Sequence, residues 1–219
     1  MHGAERKGGF GAVHQKMGTM SLTESLLEQS IVYRLWQAPF ADQKFAPVLA
    51  HNNMSRINHV LDVGCGPGTN SRQFTHAKYL GIDINPSYIE SARKSYKRDF
   101  VVADARTYQT APGNSFDFIL VNSFLHHIAT SDVVDLLSHL RTLLTDDGFV
   151  HILEPVLPKG WPVARLVAHA DRGKFVRPLQ EWESIFTGIF DTRVLEPYPL
   201  KGAGITLWNM LYFKGSAPR

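Results

Sequence analysis

The residues with the clearest capacity for chemistry lie in the run Val60-Leu61-Asp62-Val63-Gly64-Cys65-Gly66-Pro67-Gly68-Thr69. This run places a carboxylate, Asp62, in a short apolar segment directly before three glycines. Glycine allows a tight turn with positive φ and lets a ligand approach the backbone closely. The run therefore predicts a strand, a glycine turn and a helix over residues 69–76, an arrangement that suits a nucleoside-containing ligand.

Two further apolar segments end in an acidic residue at a regular interval. Asp83 lies 21 positions after Asp62, and Asp104 lies 21 positions after Asp83. A βαβ unit places a ribose-binding carboxylate about 20 residues after its first motif, and open α/β sheets bind ligands outside the carboxyl ends of their strands. Each acid taken singly is also explained as a helix N-cap or a loop residue. The regular spacing of all three favours carboxylates that face one crevice.

The glycine spacing separates two kinds of nucleoside site. Gly64, Gly66 and Gly68 are spaced G-x-G-x-G, whereas the dinucleotide fingerprint G-x-G-x-x-G needs a glycine where Thr69 stands. A pyrophosphate cradle is therefore disfavoured. An NAD(P)-dependent oxidoreductase remains a weaker alternative.

Together these motifs resemble the class I S-adenosylmethionine-dependent methyltransferases of the small-molecule type, over roughly residues 33–155. Residues 62–68 are similar to the first motif of that family, and residues 116–128 are similar to its fourth-strand motif. Residues 143–149 resemble the turn into the fifth strand, although Asp146-Asp147 replaces the more usual Pro-Gly.

The resemblance implies a cofactor, S-adenosyl-L-methionine, with S-adenosyl-L-homocysteine as its product. It also implies that Asp83 binds the ribose, that Asp104 and Ala105 bind the adenine, and that Asn122 lies under the sulfonium. The implied cofactor-binding residues are Tyr33, Asp62, Gly64, Cys65, Gly66, Asp83, Ile84, Asp104, Ala105 and Asn122.

Two adjacent histidines, His126 and His127, follow the fourth predicted strand. A neutral imidazole there could remove a proton from a hydroxyl, an amine or an activated carbon, and we expect only one of the two rings to point inward. Alternatively, both begin a helix or pack without a catalytic role. In methyltransferases of the phosphoethanolamine type, which this chain resembles, Leu125-His126 matches the catalytic histidine and Tyr33 an N-terminal tyrosine. The catalytic candidates are therefore His126, Tyr33 and His127, and in-line methyl transfer requires no metal.

The rest of the chain predicts the elements that position these residues. Apolar patterns predict strands near 59–63, 79–83, 100–103, 117–122, 148–154, 189–196 and 205–213, and helices near 42–51, 69–76, 86–95, 131–144, 162–171 and 179–186. Such alternation is typical of an α/β fold with a parallel sheet covered on both faces. The resemblance implies a Rossmann-like, seven-stranded, mostly parallel sheet in the order 3-2-1-4-5-7-6, with its last strand antiparallel and an N-terminal helical lid.

The predicted organisation is a disordered tail over 1–19 and a single methyltransferase domain over 20–219, with lid elements at 20–50 and 155–180. The second lid segment is basic, which suits an anionic acceptor, but the interpretation favoured here is a solvated face. Its cations are Lys159, Arg165, Arg172, Lys174 and Arg177.

Charge and composition limit the classes of partner and the location that we expect. The net charge is +3 with a pI of about 9.0, but the first 19 residues carry much of that charge, so a nucleic-acid partner is not expected. No apolar run approaches the roughly 20 residues of a membrane span. The single cysteine, Cys65, has no intrachain partner and is compatible with a reducing compartment, so a cytoplasmic location is expected. The predicted function is methyl transfer to a small-molecule acceptor, and the alternative from another class is a non-catalytic cofactor-binding partner subunit.

Overall fold

The chain forms a seven-stranded sheet in the computed structural model, which describes residues 40–111, 113–157, 175–202 and 204–218. The strands are β1 (His59–Val63), β2 (Lys78–Asp83), β3 (Asp99–Val102), β4 (Phe116–Asn122), β5 (Leu144–Pro155), β6 (Asp191–Gly202) and β7 (Ile205–Ser216). Their order is β3-β2-β1-β4-β5-β7-β6. The first five strands pair in parallel, and β7 runs antiparallel to both β5 and β6. The predicted fold class is confirmed.

Helices cover both faces of this sheet. Within the described residues they are α1 (Ala41–His51), α2 (Pro86–Ser95), α3 (Thr130–Thr142) and α4 (Leu179–Thr187). The apolar sides of α3 and α4 join one buried cluster, and α1 and α2 join the cluster on the opposite face. None of these helices is long and apolar enough to cross a lipid bilayer.

The segment after the glycine turn differs from its prediction. The expected helix over 69–76 is a single 3-10 segment, Thr69–Gln73. It ends because Phe74 turns into the core, where its ring lies 5.1 Å from that of Phe118 and 5.9 Å from that of Tyr79. Burial of a large aromatic ring stabilises more than another helical turn on this short connection would.

The second helix begins as its sequence predicts. Asn85 is the N-cap, and its side-chain oxygen accepts a hydrogen bond from the Ser87 amide at 3.0 Å. Pro86 occupies the first turn, where an amide N–H would have no partner within the helix. This cap fixes the chain directly after the end of β2.

Several predicted elements lie outside the described residues: the part of the N-terminal lid before residue 40, the helix near 162–171, and the tail. The division into a tail, one domain and two lid segments stays a prediction.

Candidate active site at the carboxyl ends of the strands

The glycine turn presents bare backbone at the end of β1. Gly64, Gly66 and Gly68 have φ values of +65°, +53° and +80°, which side chains disfavour. A Cβ atom on Gly64 would lie 2.7 Å from the ring of Phe124. A Cβ atom on Gly66 would meet no atom within 4 Å among the described residues. The turn is therefore packed at Gly64 and open at Gly66, where a ligand can reach the backbone.

Asp83 ties the end of β2 to that turn. Its Oδ2 accepts a hydrogen bond from the Gly66 amide at 2.9 Å, and its Oδ1 accepts one from the Asn85 amide at 2.8 Å. A carboxylate offers about four acceptor positions, so each oxygen keeps capacity for another donor. Ile84 follows with 66% of its surface exposed. The structure thus places a half-buried carboxylate and an exposed apolar side chain beside the open glycine.

Cys65 is engaged within the turn itself. Its amide donates to the Ile82 carbonyl at 3.0 Å, and its carbonyl accepts from the Gly68 amide at 3.0 Å. Burial and the neighbouring carboxylates raise the pKa of its thiol far above the usual value. This shift favours the neutral thiol, and the backbone of Cys65 holds the shape of the turn.

Asp62 lies beneath the turn, without exposed surface. Its Oδ2 accepts hydrogen bonds from the Tyr79 hydroxyl at 2.5 Å and from Asn70 Nδ2 at 3.1 Å. Burial raises the pKa of Asp62 to about 7, although both hydrogen bonds lower it. The expectation that all three strand-end carboxylates face one crevice is wrong for Asp62, because Tyr79 and Asn70 enclose it. A direct contact between Asp62 and a ligand stays a prediction.

A chain of oriented hydrogen bonds continues from Asp62 along the strand ends. Asn122 Nδ2 donates to Asn70 Oδ1 at 3.2 Å, Ser123 Oγ donates to Asn122 Oδ1 at 3.3 Å, and Lys44 Nζ donates to Ser123 Oγ at 3.0 Å. Ser123 has a φ of +54°, the one positive value among the described residues other than glycine. This series of hydrogen bonds links β1, β4 and α1 and fixes the side-chain amide of Asn122.

Asp104 takes a different position from Asp83. Strand β3 ends at Val102, and both oxygens of Asp104 accept hydrogen bonds from Arg106, with Arg106 Nη2 at 2.7 Å from Oδ2. These bonds lower the pKa of Asp104. Ala105, beside it, is buried. The predicted adenine contacts of Asp104 and Ala105 stay predictions.

The two histidines occupy different environments on a 3-10 turn, Leu125–His127, that follows β4. His126 is 3% exposed, whereas His127 is exposed, and their ring centroids are 4.1 Å apart. His126 Nδ1 lies 2.7 Å from Oε2 of Glu154. His126 is therefore the inward-pointing member of the pair.

Glu154 organises this turn from the carboxyl end of β5. It has no exposed surface, and its Oε1 accepts hydrogen bonds from the Phe124 amide at 2.8 Å and from the Leu125 amide at 2.7 Å. A carboxylate on Nδ1 favours the tautomer with the proton there, which leaves Nε2 as the basic nitrogen. Among the described residues, Nε2 of His126 has no hydrogen-bond partner. The pair has the arrangement of an oriented general base.

Sequence reasoning did not single out Glu154. The available signal was the one used for the other acids, since Glu154 follows a buried apolar run at the end of a predicted strand. Tyr33, the remaining catalytic candidate, lies outside the described residues, and its role stays a prediction.

Comparison with known sequences finds a family match over part of this chain. Residues 60–148 match the family described as "Methyltransferase domain". Trans-aconitate 2-methyltransferase of Escherichia fergusonii is 33% identical over an alignment of 130 residues that covers 56% of this chain and 49% of that protein. The same enzyme of Escherichia coli O139:H28 is 34% identical over 131 residues. The chain spans about half the length of the curated relatives that it matches.

Solved structures share the fold at low sequence identity. The N-methyltransferase NodS from Bradyrhizobium japonicum WM9, in complex with S-adenosyl-L-homocysteine, has a TM-score of 0.68 and 17% identity, covering 91% of this chain and 100% of that chain. A SAM-dependent methyltransferase from Methanosarcina mazei has a TM-score of 0.66 and 17% identity, covering 78% and 98% respectively. The family match and these folds confirm the resemblance to class I methyltransferases.

Proposed function

We propose that this chain, which carries a class I methyltransferase domain, transfers a methyl group from S-adenosylmethionine to a small-molecule acceptor. The observation that carries the proposal is the contact between the Gly66 amide and Asp83 at the end of β2. It places a bare backbone turn and a carboxylate with spare acceptor positions at the topological switch of the sheet, where β1 lies between β2 and β4.

The residues at this edge fit the donor. Asp83 would accept hydrogen bonds from two ribose hydroxyls, and charge-assisted bonds of this kind are stronger than those of a neutral acceptor. The open side of Gly66 would admit the amino-acid portion, and exposed Ile84 would pack on the adenine. When bound, S-adenosylmethionine supplies a methyl group on a positively charged sulfur, and orienting it for in-line displacement can be worth about 7–11 kcal/mol.

We assign the acid–base role to His126. Glu154 holds the proton on Nδ1, so Nε2 is the atom that would accept a proton from the acceptor as the new bond forms. Glu154 acts through the imidazole as a positioning residue. This assignment favours an acceptor with a proton to lose, such as a hydroxyl, an amine or an activated C–H group.

The acceptor is proposed to be a small molecule rather than a nucleic acid. The relatives named above are trans-aconitate methyltransferases, but the similarity covers only about half of their length. The nearly neutral chain beyond the first 19 residues also disfavours a polyanionic partner.

Calorimetric titration with S-adenosylhomocysteine tests the donor site. We expect Asp83→Ala to raise the Kd at least about tenfold, because even one lost hydrogen bond to a charged group contributes roughly 1.5–3 kcal/mol. Asp83→Asn should weaken binding less, since the amide keeps one acceptor. Glu90→Ala, which removes an exposed carboxylate from α2, is the matched control and should leave the Kd unchanged. Comparable affinity of the unmodified chain for NAD would overturn the proposal.

A further inference from the structure

The turn that carries His126 is clamped from two sides. Glu154 accepts hydrogen bonds from the Phe124 and Leu125 amides at the start of the turn. On the other side, Phe175 and Arg177 contact the carbonyl oxygens of the same turn. The Phe175 amide donates to the carbonyl oxygen of His126 itself at 3.0 Å.

Arg177 brackets the two histidines. Its Nη1 donates to the Leu125 carbonyl at 3.3 Å, and its Nη2 donates to the Ile128 carbonyl at 2.9 Å. These carbonyls lie immediately before and after His126-His127. A planar guanidinium presents its donors in a rigid fork, so contact with both carbonyls fixes their separation.

The fork itself is immobilised. Arg177 is 3% exposed, and its Nε and Nη2 donate to Thr130 Oγ1 at 3.2 and 3.1 Å. Its Cζ lies 4.6 Å from the centre of the Trp182 ring, and the Trp182 indole donates to the Pro155 carbonyl at 3.0 Å. Arg177 is therefore held on a platform attached to β5 directly after Glu154.

Charge links the two sides of the clamp. Burial lowers the pKa of Arg177, while Glu181 and Glu154 raise it. Glu181 Oε1 lies 3.1 Å from Arg177 Nε, and its side chain is half exposed. The basic segment around Arg177 was interpreted from the sequence as a solvated face, and that interpretation is wrong for Arg177. A guanidinium with this many buried contacts holds a structure together rather than facing solvent.

We propose that Arg177 is a positioning residue that, with Glu154, fixes the His126 turn so that the imidazole keeps one tautomer and one orientation. This inference rests on the proposed acid–base role of His126 and deepens it. The reason is geometric, because Glu154 constrains the amide side of the turn and Arg177 constrains its carbonyl side. Without Arg177, the turn would keep its carboxylate partner but lose the fork that sets its length.

Nitrogen-15 NMR of histidine-labelled protein tests the proposal without an acceptor. In the unmodified chain we expect His126 to give a single ring signal set with the proton on Nδ1. In Arg177→Met we expect broadened or multiple His126 signals, and amide hydrogen exchange at Phe124 and Leu125 at least tenfold faster. Arg177→Lys keeps the charge but not the fork, so its His126 signals and its amide exchange should resemble those of Arg177→Met.

The matched control is Arg141→Met, which removes another guanidinium–carbonyl contact, from Arg141 Nη1 to Ile189 at 3.2 Å. It should leave the His126 spectrum and the exchange of both amides unchanged. If Arg177→Met does not fold, Thr130→Val removes one acceptor of the fork and should shift the His126 signals in the same direction. Wild-type signals and exchange in every variant at Arg177 and Thr130 would overturn the proposal.

S-adenosylhomocysteine separates this inference from the proposed function. We expect its Kd to change less than twofold in Arg177→Met, because Asp83 and Gly66 do not contact the clamp. Failure of the unmodified chain to bind S-adenosylhomocysteine would overturn the proposed function. The His126 spectra would still decide whether Arg177 positions the turn.

Discussion

Asp62 and Glu154 are both carboxylates without exposed surface, and they lie near the carboxyl ends of two parallel strands. Their partners differ. Asp62 accepts from a neutral phenol and a neutral amide, Tyr79 and Asn70. Glu154 accepts from two backbone amides, lies against the His126 imidazole and attracts the buried Arg177.

This difference teaches that burial alone does not define what a carboxylate does. Neutral donors do not offset the desolvation of Asp62, so its pKa rises to about 7 and it can hold a proton near neutral pH. Glu154 has donors on both oxygens and a cation nearby, which suit a fixed acceptor that orients another group. Asp62 supports the glycine turn, and Glu154 orients the His126 imidazole as a base.

The largest effect should come from removing the carboxylate of Glu154. Glu154→Leu keeps the volume but leaves two backbone amides and the His126 imidazole without their acceptor, so we expect a loss of about 3–5 kcal/mol in the free energy of unfolding. Urea denaturation followed by tryptophan fluorescence measures it. Glu154→Gln, which retains an acceptor for the amides, should lose less. If Glu154→Leu and Glu154→Gln both lost equally little free energy of unfolding, the bonds accepted by Glu154 would not distinguish it from Asp62.

Asp62→Asn should change the pH dependence of stability. Because the pKa of Asp62 is about 7 in the folded chain and about 3.8 when unfolded, the folded state binds the extra proton between these values. Stability should therefore fall as pH rises from about 4 to about 7, by up to about 4 kcal/mol from this group.

Denaturation at pH 4.5 and pH 7.5 tests this slope. Asp62→Asn should lose most of the decline, while Asp83→Asn, at the next strand end, is the control for loss of a less buried carboxylate. An unchanged slope in Asp62→Asn would show that Asp62 is ionised in the folded chain.

The smallest expected effect has the opposite sign and comes from a buried base. His151 stacks on Phe118 with ring centroids 3.7 Å apart, and its Nε2 has no partner among the described residues. Burial lowers the pKa of His151 well below 6.5. Protonation therefore favours the unfolded chain, and stability should fall by up to about 1.4 kcal/mol per pH unit below about 6.5.

Replacing His151 with phenylalanine sharpens the comparison. His151→Phe keeps a ring against Phe118 and should flatten the loss of stability between pH 6.5 and pH 5.5 in denaturant titrations. His59→Phe, which alters another strand histidine whose ring lies tilted against Phe116 with centroids 4.4 Å apart, is the control. A slope equal to that of the unmodified chain would place the acid sensitivity elsewhere.

The sequence predicted β1 to β4 within one residue at each end because these strands are short apolar runs, whereas β5, β6 and β7 extend beyond their predicted bounds. The bounds of α2 were predicted as Pro86–Ser95 and confirmed, since Asn85 and Pro86 mark its start. The segment after Gly68 was harder to predict, because its end is set by contacts of the Phe74 side chain with residues from other strands.

Partners distant in sequence explain what was missed at the site. The enclosure of Asp62 depends on Tyr79, 17 positions away, and Glu154 meets His126 across 28 positions. In the sequence Arg177 is one cation among several in a basic segment. Only the fold shows that it contacts the carbonyls of Leu125 and Ile128. Residue type and spacing indicate which groups reach the strand ends, but they do not indicate which groups pair there.

The bridge between Val156 and Arg177 has a consequence for how this chain can vary. The Leu157 amide donates to the Arg177 carbonyl at 2.9 Å, so the chain leaves β5 and returns to the same point. A backbone change at the end of β5 should therefore shift Arg177 as well, and through Arg177 the carbonyls of Leu125 and Ile128.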